Sequence, residues 1–179
     1  LLEKVNSNAD LSDSEQAEWE KVQARVDSIC KAAHDAHTPV FIDAEESWIQ
    51  DAIDELADTM MERYNKERIS VYNTIQIYRW DRYAFLKKSH EKAVEQNFIL
   101  GIKLVRGAYM EKERARAEDK GYKSPIQKDK AASDWDYNLA LSYCLENVDK
   151  IALVAGTHNE NSALLLTELM EKHGVAPDN

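Results

Sequence analysis

The chain has 179 residues, 44% of them hydrophobic and 31% charged, enough for one domain with a real core. Its formal net charge of -10 argues against sequence-independent binding to nucleic-acid phosphate. No run of about 18 apolar residues occurs and no signal peptide is seen, so no membrane-spanning helix is expected.

The first residue is Leu1, which reads as a start part-way through something larger, or as a trimmed chain. Residues 1–13 read as an irregular lead-in. Ser12 and Glu15 have the spacing of a capping box. Val22, Val26, Ile29, Ala33 and Ala36 then share one helical stripe opposite a charged face. Pro39 stops that helix. Val40 to Ile42 reads as a short buried strand. Ile49, Ile53, Leu56, Met60 and Tyr64 mark the next helix, with Glu45 and Glu46 at its positive N-terminal end.

Residues 69–78 are rich in β-branched and aromatic types and read as a second strand. Trp80 to Asn97 reads as helix, with Ala84, Ala93 and Val94 as weak core markers. Residues 98–106 form a third strand. The polar stretch after it, through Gly121 and Pro125, reads as loop rather than sheet. Its Lys112, Arg114, Arg116, Lys120 and Lys123 suit a solvated helix face. A helix follows over about 127–147, then a strand from Ile151 to Ala155. A last helix carries Leu165, Leu169 and Met170 and exits at His173-Gly174.

Cys30 and Cys144 lie far apart within apolar helical patterns. They suit buried, reduced thiols and a reducing interior compartment, not a disulfide framework or a zinc site. The histidines show no metal-ligand spacing. Trp48, Trp80 and Trp135 fall in helical segments and read as core or inter-helix packing.

Strand, polar tip and helix thus recur four times. Such a chain puts all its tips at one end of a parallel sheet, the end that carries chemistry in βα barrels. Four strands are half of such a barrel, so further strands are expected from elsewhere.

The tips carry Ile42-Asp43-Ala44-Glu45-Glu46, Thr74-Ile75-Gln76-Ile77-Tyr78, Lys103-Leu104-Val105-Arg106-Gly107-Ala108-Tyr109 and Thr157-His158-Asn159-Glu160. In this order they resemble the proline dehydrogenase family, from about residue 38 to the end. The resemblance implies an α/β fold, a distorted (βα)8 TIM-type barrel, of which residues 1–179 would be roughly the central half within one domain. It implies FAD across the strand ends and hydride transfer from L-proline to flavin, giving Δ1-pyrroline-5-carboxylate. A quinone would take the electrons. The implied location is peripheral, at the bacterial inner membrane facing the cytoplasm, or the mitochondrial matrix side.

The resemblance gives the residues their roles. Asp43 would organise the substrate pocket, and Lys103 would stabilise negative charge growing on the flavin. Ala44, Gln76, Arg106, Gly107, Ala108, Thr157 and His158 would contact FAD. Each residue has a structural alternative. Asp43 could cap a helix. Gln76 could be satisfied by neighbouring backbone. Lys103 could snorkel to water. Gly107 could serve a turn. Thr157 could cap a helix, with a core histidine behind it.

Two features depart from the family. Many members have arginine then lysine in the third motif, where this chain has Lys103 and Arg106. The family's substrate lysine, its late tyrosine and its paired arginines are absent from these residues. Two other functions stay open: a Schiff-base lyase or aldolase using Lys103, or a non-catalytic fragment that binds a partner half.

Overall fold

The computed structural model describes residues 1–176. Seven helices and four strands follow in it, each strand succeeded by at least one helix: α1 (Leu2–Asn6), α2 (Asp13–Asp35), β1 (Val40–Ile42), α3 (Ser47–Tyr64), β2 (Val71–Gln76), α4 (Arg82–Glu95), β3 (Leu100–Val105), α5 (Met110–Lys120), α6 (Lys130–Glu146), β4 (Ile151–Ala155) and α7 (Glu160–His173). The strands pair in parallel, in the order β1-β2-β3-β4. Each crossover therefore steps one strand further in the same direction. A doubly wound sheet reverses direction at a switch point, whereas a barrel does not. The chain is a four-strand segment of a βα barrel.

The register divides the side chains between two faces. Ile42, Val71, Ile75, Leu100, Ile102, Leu104 and Ile151 point toward the helices. There they join Met60, Met61, Leu86, Ala93, Tyr137, Leu141 and Cys144 in the core. Phe41, Tyr72, Thr74, Gln76, Lys103, Val105 and Val154 point the other way. Phe41 is 44% exposed on that uncovered face. Burial pushes the Cys30 thiol up to about 11 and the Cys144 thiol up to about 12, so both stay protonated near neutrality.

The capping box at Ser12 and Glu15 forms, with Ser12 Oγ accepting from the Glu15 amide. The predicted lead-in, by contrast, contains α1. Asn6 at its end accepts from the amides of Asp51 and Ala52 at 2.7 and 3.3 Å, which docks α1 on α3. The polar stretch predicted as loop holds α5. Its buried residues are Glu113 and Ala117, so its inward side carries no hydrophobic signal. Glu113 is satisfied by the Ser47 amide and hydroxyl at 2.6 and 2.7 Å.

Three further expectations shift. Trp80 is 49% and Trp135 67% exposed, while Trp48 lies half-buried under the Arg116 guanidinium at 4.0 Å. The buried tryptophan is Trp19. Ile29 and Val94 are exposed; Cys30 lies buried on α2, and α4 buries Arg82, Leu86, Ser89 and Ala93.

Arg82 identifies the strongest constraint in the fold. It is 3% exposed and donates to Asp54 Oδ2 at 2.5 Å, with Asp51 Oδ1 at 3.2 Å. Asp54 Oδ1 accepts from Gln50 Nε2 and Asn73 Nδ2, both at 2.9 Å. Desolvation raises the Asp54 carboxyl above its ordinary range despite these donors. A buried pair stripped of one member leaves an uncompensated charge, at a cost of about 3–5 kcal/mol. Asp54→Ala should therefore lower unfolding free energy by about that amount. Coincident urea unfolding curves for variant and parent would contradict this.

Candidate active site

Thr74 and Lys103 are register partners on β2 and β3, so both leave the uncovered face at the C-terminal end of the sheet. Asp43, one residue past β1, turns toward them. Lys103 Nζ donates to Asp43 Oδ1 at 2.7 Å, and Thr74 Oγ1 donates to the same oxygen at 3.1 Å. The ammonium also lies 5.4 Å from the centre of the Phe41 ring, a cation–π distance. The hydrogen bond from Lys103 holds the Asp43 carboxyl below its ordinary range, against the effect of partial burial. The helix-cap alternative for Asp43 fails, because Glu46 occupies the N-cap of α3.

Gln76 lies two residues beyond Thr74 on the same face and is 2% exposed. Its Nε2 donates to the Glu45 carbonyl at 2.6 Å and to Tyr78 Oη at 3.0 Å. A carbonyl oxygen only accepts, so the nitrogen must face it and the amide orientation is settled. Gln76 Oε1 is then buried with no hydrogen-bond partner. Neighbouring backbone satisfies only half of this amide. Ala44 is half-buried between Asp43 and Glu45.

Arg106 builds a second cluster. Its Nη1 pairs with Asp134 on α6. Its Nη2 donates to Thr157 Oγ1 at 2.9 Å and to Ser162 Oγ on α7 at 2.8 Å. The guanidinium carbon lies 3.8 Å from the Tyr137 ring centre, and Nε is buried without a partner. A lysine could not hold three partners and a stack at once, because its ammonium lacks the planar fork. Burial tends to raise the Asp134 carboxyl, but the Lys130 hydrogen bond and the Arg106 charge outweigh it and hold it low.

Gly107 stands at φ +93° with nothing within 4 Å of where a Cβ would be. It and Ala108 are exposed. Thr157 accepts from the Asn159 amide at 3.0 Å, while Asn159 is the N-cap of α7. His158 is exposed rather than a core histidine. A cavity of about 650 Å³ lies here, lined among others by Tyr78, Arg106, Gly107, Lys130, Thr157 and His158.

The candidate residues therefore form two groups. Asp43, Thr74, Lys103 and Gln76 gather at the ends of β1 to β3. Arg106, Gly107, Thr157 and His158 line the cavity at β3 and β4, which does not reach Asp43, Gln76 or Lys103. All belong to one rim. Three strand spacings separate β1 from β4, about 14 Å, a span for an elongated ligand rather than a compact one.

Sequence reasoning missed several partners: Thr74 on Asp43, Tyr109 on Glu45, and Asp134, Tyr137 and Ser162 on Arg106. Thr74, Tyr109 and Ser162 stand inside or close to the tip motifs, which is the one local signal they carry. Asp134 and Tyr137 lie three apart on α6, a shared helix face, but nothing local directs that face to Arg106.

The sequence matches the proline dehydrogenase family across residues 2–179. It is 35% identical over 164 residues to proline dehydrogenase 1, mitochondrial, of Drosophila melanogaster, covering 86% of this chain and 24% of that protein. It is 32% identical over 169 residues to the human protein of the same name, covering 93% of this chain and 28% of the relative. The chain thus spans about a quarter of the length of these relatives. The fold superposes on proline utilization A (PutA) from Bdellovibrio bacteriovorus, inactivated by N-propargylglycine. There the TM-score is 0.82 at 23% identity, over 88% of this chain and 16% of that one, a likeness of fold. Motifs, rim geometry and a match along nearly the whole length agree: the chain belongs to the proline dehydrogenase family.

Proposed function

We propose that this chain is the central part of an FAD-dependent enzyme that oxidises L-proline to Δ1-pyrroline-5-carboxylate and passes the electrons to a quinone. The observation that carries the reading is Gln76 Oε1, buried and unpartnered one pleat beyond the Lys103–Asp43 pair. A buried acceptor without a donor is costly unless a ligand supplies one. The pyrimidine edge of a flavin offers such a donor. Gly107 fits as well, since its open backbone admits close approach. Ala44, Gln76, Arg106, Gly107, Ala108, Thr157 and His158 would hold FAD. When bound, the flavin takes up the hydride.

The chain's own residues prepare that transfer. Lys103 keeps a positive charge fixed at a strand end, where growing negative charge is stabilised. Asp43 fixes the Lys103 ammonium, and Thr74 fixes Asp43. A carboxyl held below its ordinary range is a weak base, so Asp43 positions and does not collect protons near neutrality. The substrate amine needs only to arrive neutral. Arg106 is already divided among Asp134, Thr157 and Ser162, and thereby ties the β3 tip to α6 and α7.

Location follows the same reading, at the mitochondrial matrix side or the cytoplasmic face of a bacterial inner membrane. Among the described residues no helix is long and apolar enough to cross a membrane. The Schiff-base alternative loses support, because Lys103 Nζ, the atom that would have to attack a carbonyl, is engaged by Asp43 Oδ1 at 2.7 Å.

Proline should bleach the flavin absorption of the holoenzyme; a colourless protein would restore the fragment reading. Lys103→Met should slow flavin reduction by proline about 10²–10³-fold in stopped flow and weaken FAD retention less. Unchanged reduction would remove its role, and trapping of Lys103 by borohydride with a carbonyl substrate would revive the lyase. Asp43→Ala should raise KM for proline and lower kcat. The ion pair supplies stability above the ordinary carboxyl value of about 3.9 and loses it as pH falls through the lowered one. Turnover of the parent should therefore show no Asp43 titration between pH about 6 and 9, and a variant-sensitive pKa inside that window would contradict this.

A further inference from the structure

We infer that Glu45 is a positioning residue that locks the ends of β1, β2 and β3 into one cofactor cradle, an inference that rests on the flavin reading above. Glu45 stands one residue before the N-cap of α3, so capping does not explain it. Three parts of the residue engage three different elements. Its amide donates to Gln50 Oε1 on α3 at 2.7 Å. Its carbonyl accepts from Gln76 Nε2 on β2 at 2.6 Å. Its carboxylate Oε2 accepts from the Tyr109 hydroxyl at 2.8 Å, directly after Arg106-Gly107-Ala108.

Each arm has a consequence. Gln50 is 1% exposed and anchored on Asp54, so the Glu45 backbone is held from inside the core. The carbonyl fixes the Gln76 amide and leaves Oε1 as its free end. The carboxylate ties down the loop between β3 and α5, where small residues alone give no rigidity. The hydrogen bond to Glu45 pushes the Tyr109 phenol up to about 12, so the phenol keeps its proton and its donor role across the working range. Lys112 on Glu46 and Glu113 on Ser47 press α5 onto the same loop.

The test uses the holoenzyme with Glu45→Ala, Glu45→Gln, Tyr109→Phe and the Glu45→Ala/Tyr109→Phe double variant. Glu45→Ala keeps both backbone bonds and removes the carboxylate arm alone. It should raise the FAD dissociation constant about tenfold, as expected for a hydrogen bond to a charged group. Tyr109→Phe should do the same, and the double variant should be no worse than either. Glu45→Gln should recover most of the loss, since its amide oxygen still accepts. In the cofactor-free protein, Glu45→Ala should speed amide hydrogen exchange at Arg106 to Tyr109 as well as at its own loop. Additive single losses, parent-like FAD retention in Glu45→Ala, or exchange confined to residues 44–47 would each overturn the inference. A parent enzyme without flavin would overturn the reading of function and this inference together, whereas the other outcomes strike the inference alone.

Discussion

A carboxylate that sits between two helices and a strand has to be satisfied on every side, and Asp54 meets that demand with three donors. Arg82 comes from α4, Gln50 from α3 and Asn73 from β2. The arrangement specifies more than it stabilises, since a buried ion pair gains little over a well-packed apolar cluster. It fixes how α3 and α4 sit on the sheet. Gln50 carries that registration on to the Glu45 backbone, and Asn73 Oδ1 carries it to the Thr74 amide at 2.9 Å. Both routes end beside Asp43. The geometry of the rim is thus set from within the helical layer.

The rim concentrates positive charge in a protein whose net charge is -10. Lys103 and Arg106 lie on one strand tip three residues apart, yet each is neutralised locally, by Asp43 and by Asp134. The two pairs differ in kind. Lys103 is held by one ion pair, to the exposed Asp43, over the Phe41 ring. Arg106 is stacked on Tyr137 and shared among three groups, so it acts as a fixed post between β3, α6 and α7. One tip therefore supplies a charge held by a single ion pair and a charge locked by several partners.

The uncovered sheet face has the same logic. Parallel sheets are covered on both faces in complete folds. Here the helices cover one face, and the other presents Phe41, Lys103 and Val154. Closure of a barrel would cover that face and leave the strand tips open at its mouth.

Much of this was legible in the sequence because strand and helix periods are local. The boundaries of β1 and β4 and the capping box at Ser12 follow from a few neighbouring residues, and the tip motifs marked the rim. Helix α5 was not legible, because its inward side is Glu113 and Ala117 and hydropathy reads such a face as solvent. The tryptophans misled for the converse reason: a large apolar ring carries no local sign of whether a neighbour covers it, and Trp135 is left mostly exposed.

By itself the sequence determined the order of the four strands and of five of the seven helices among the described residues, the end of the sheet that bears polar residues, and the family. Tertiary structure alone decided which polar residues meet: Lys103 with Asp43, Arg106 with Asp134 and Thr157, and Glu45 with Gln76 and Tyr109. Those pairs lie 28 to 64 residues apart along the chain. Periodicity reports on distances of one or two turns, whereas such contacts exist only once sheet register and helix packing have brought distant tips together.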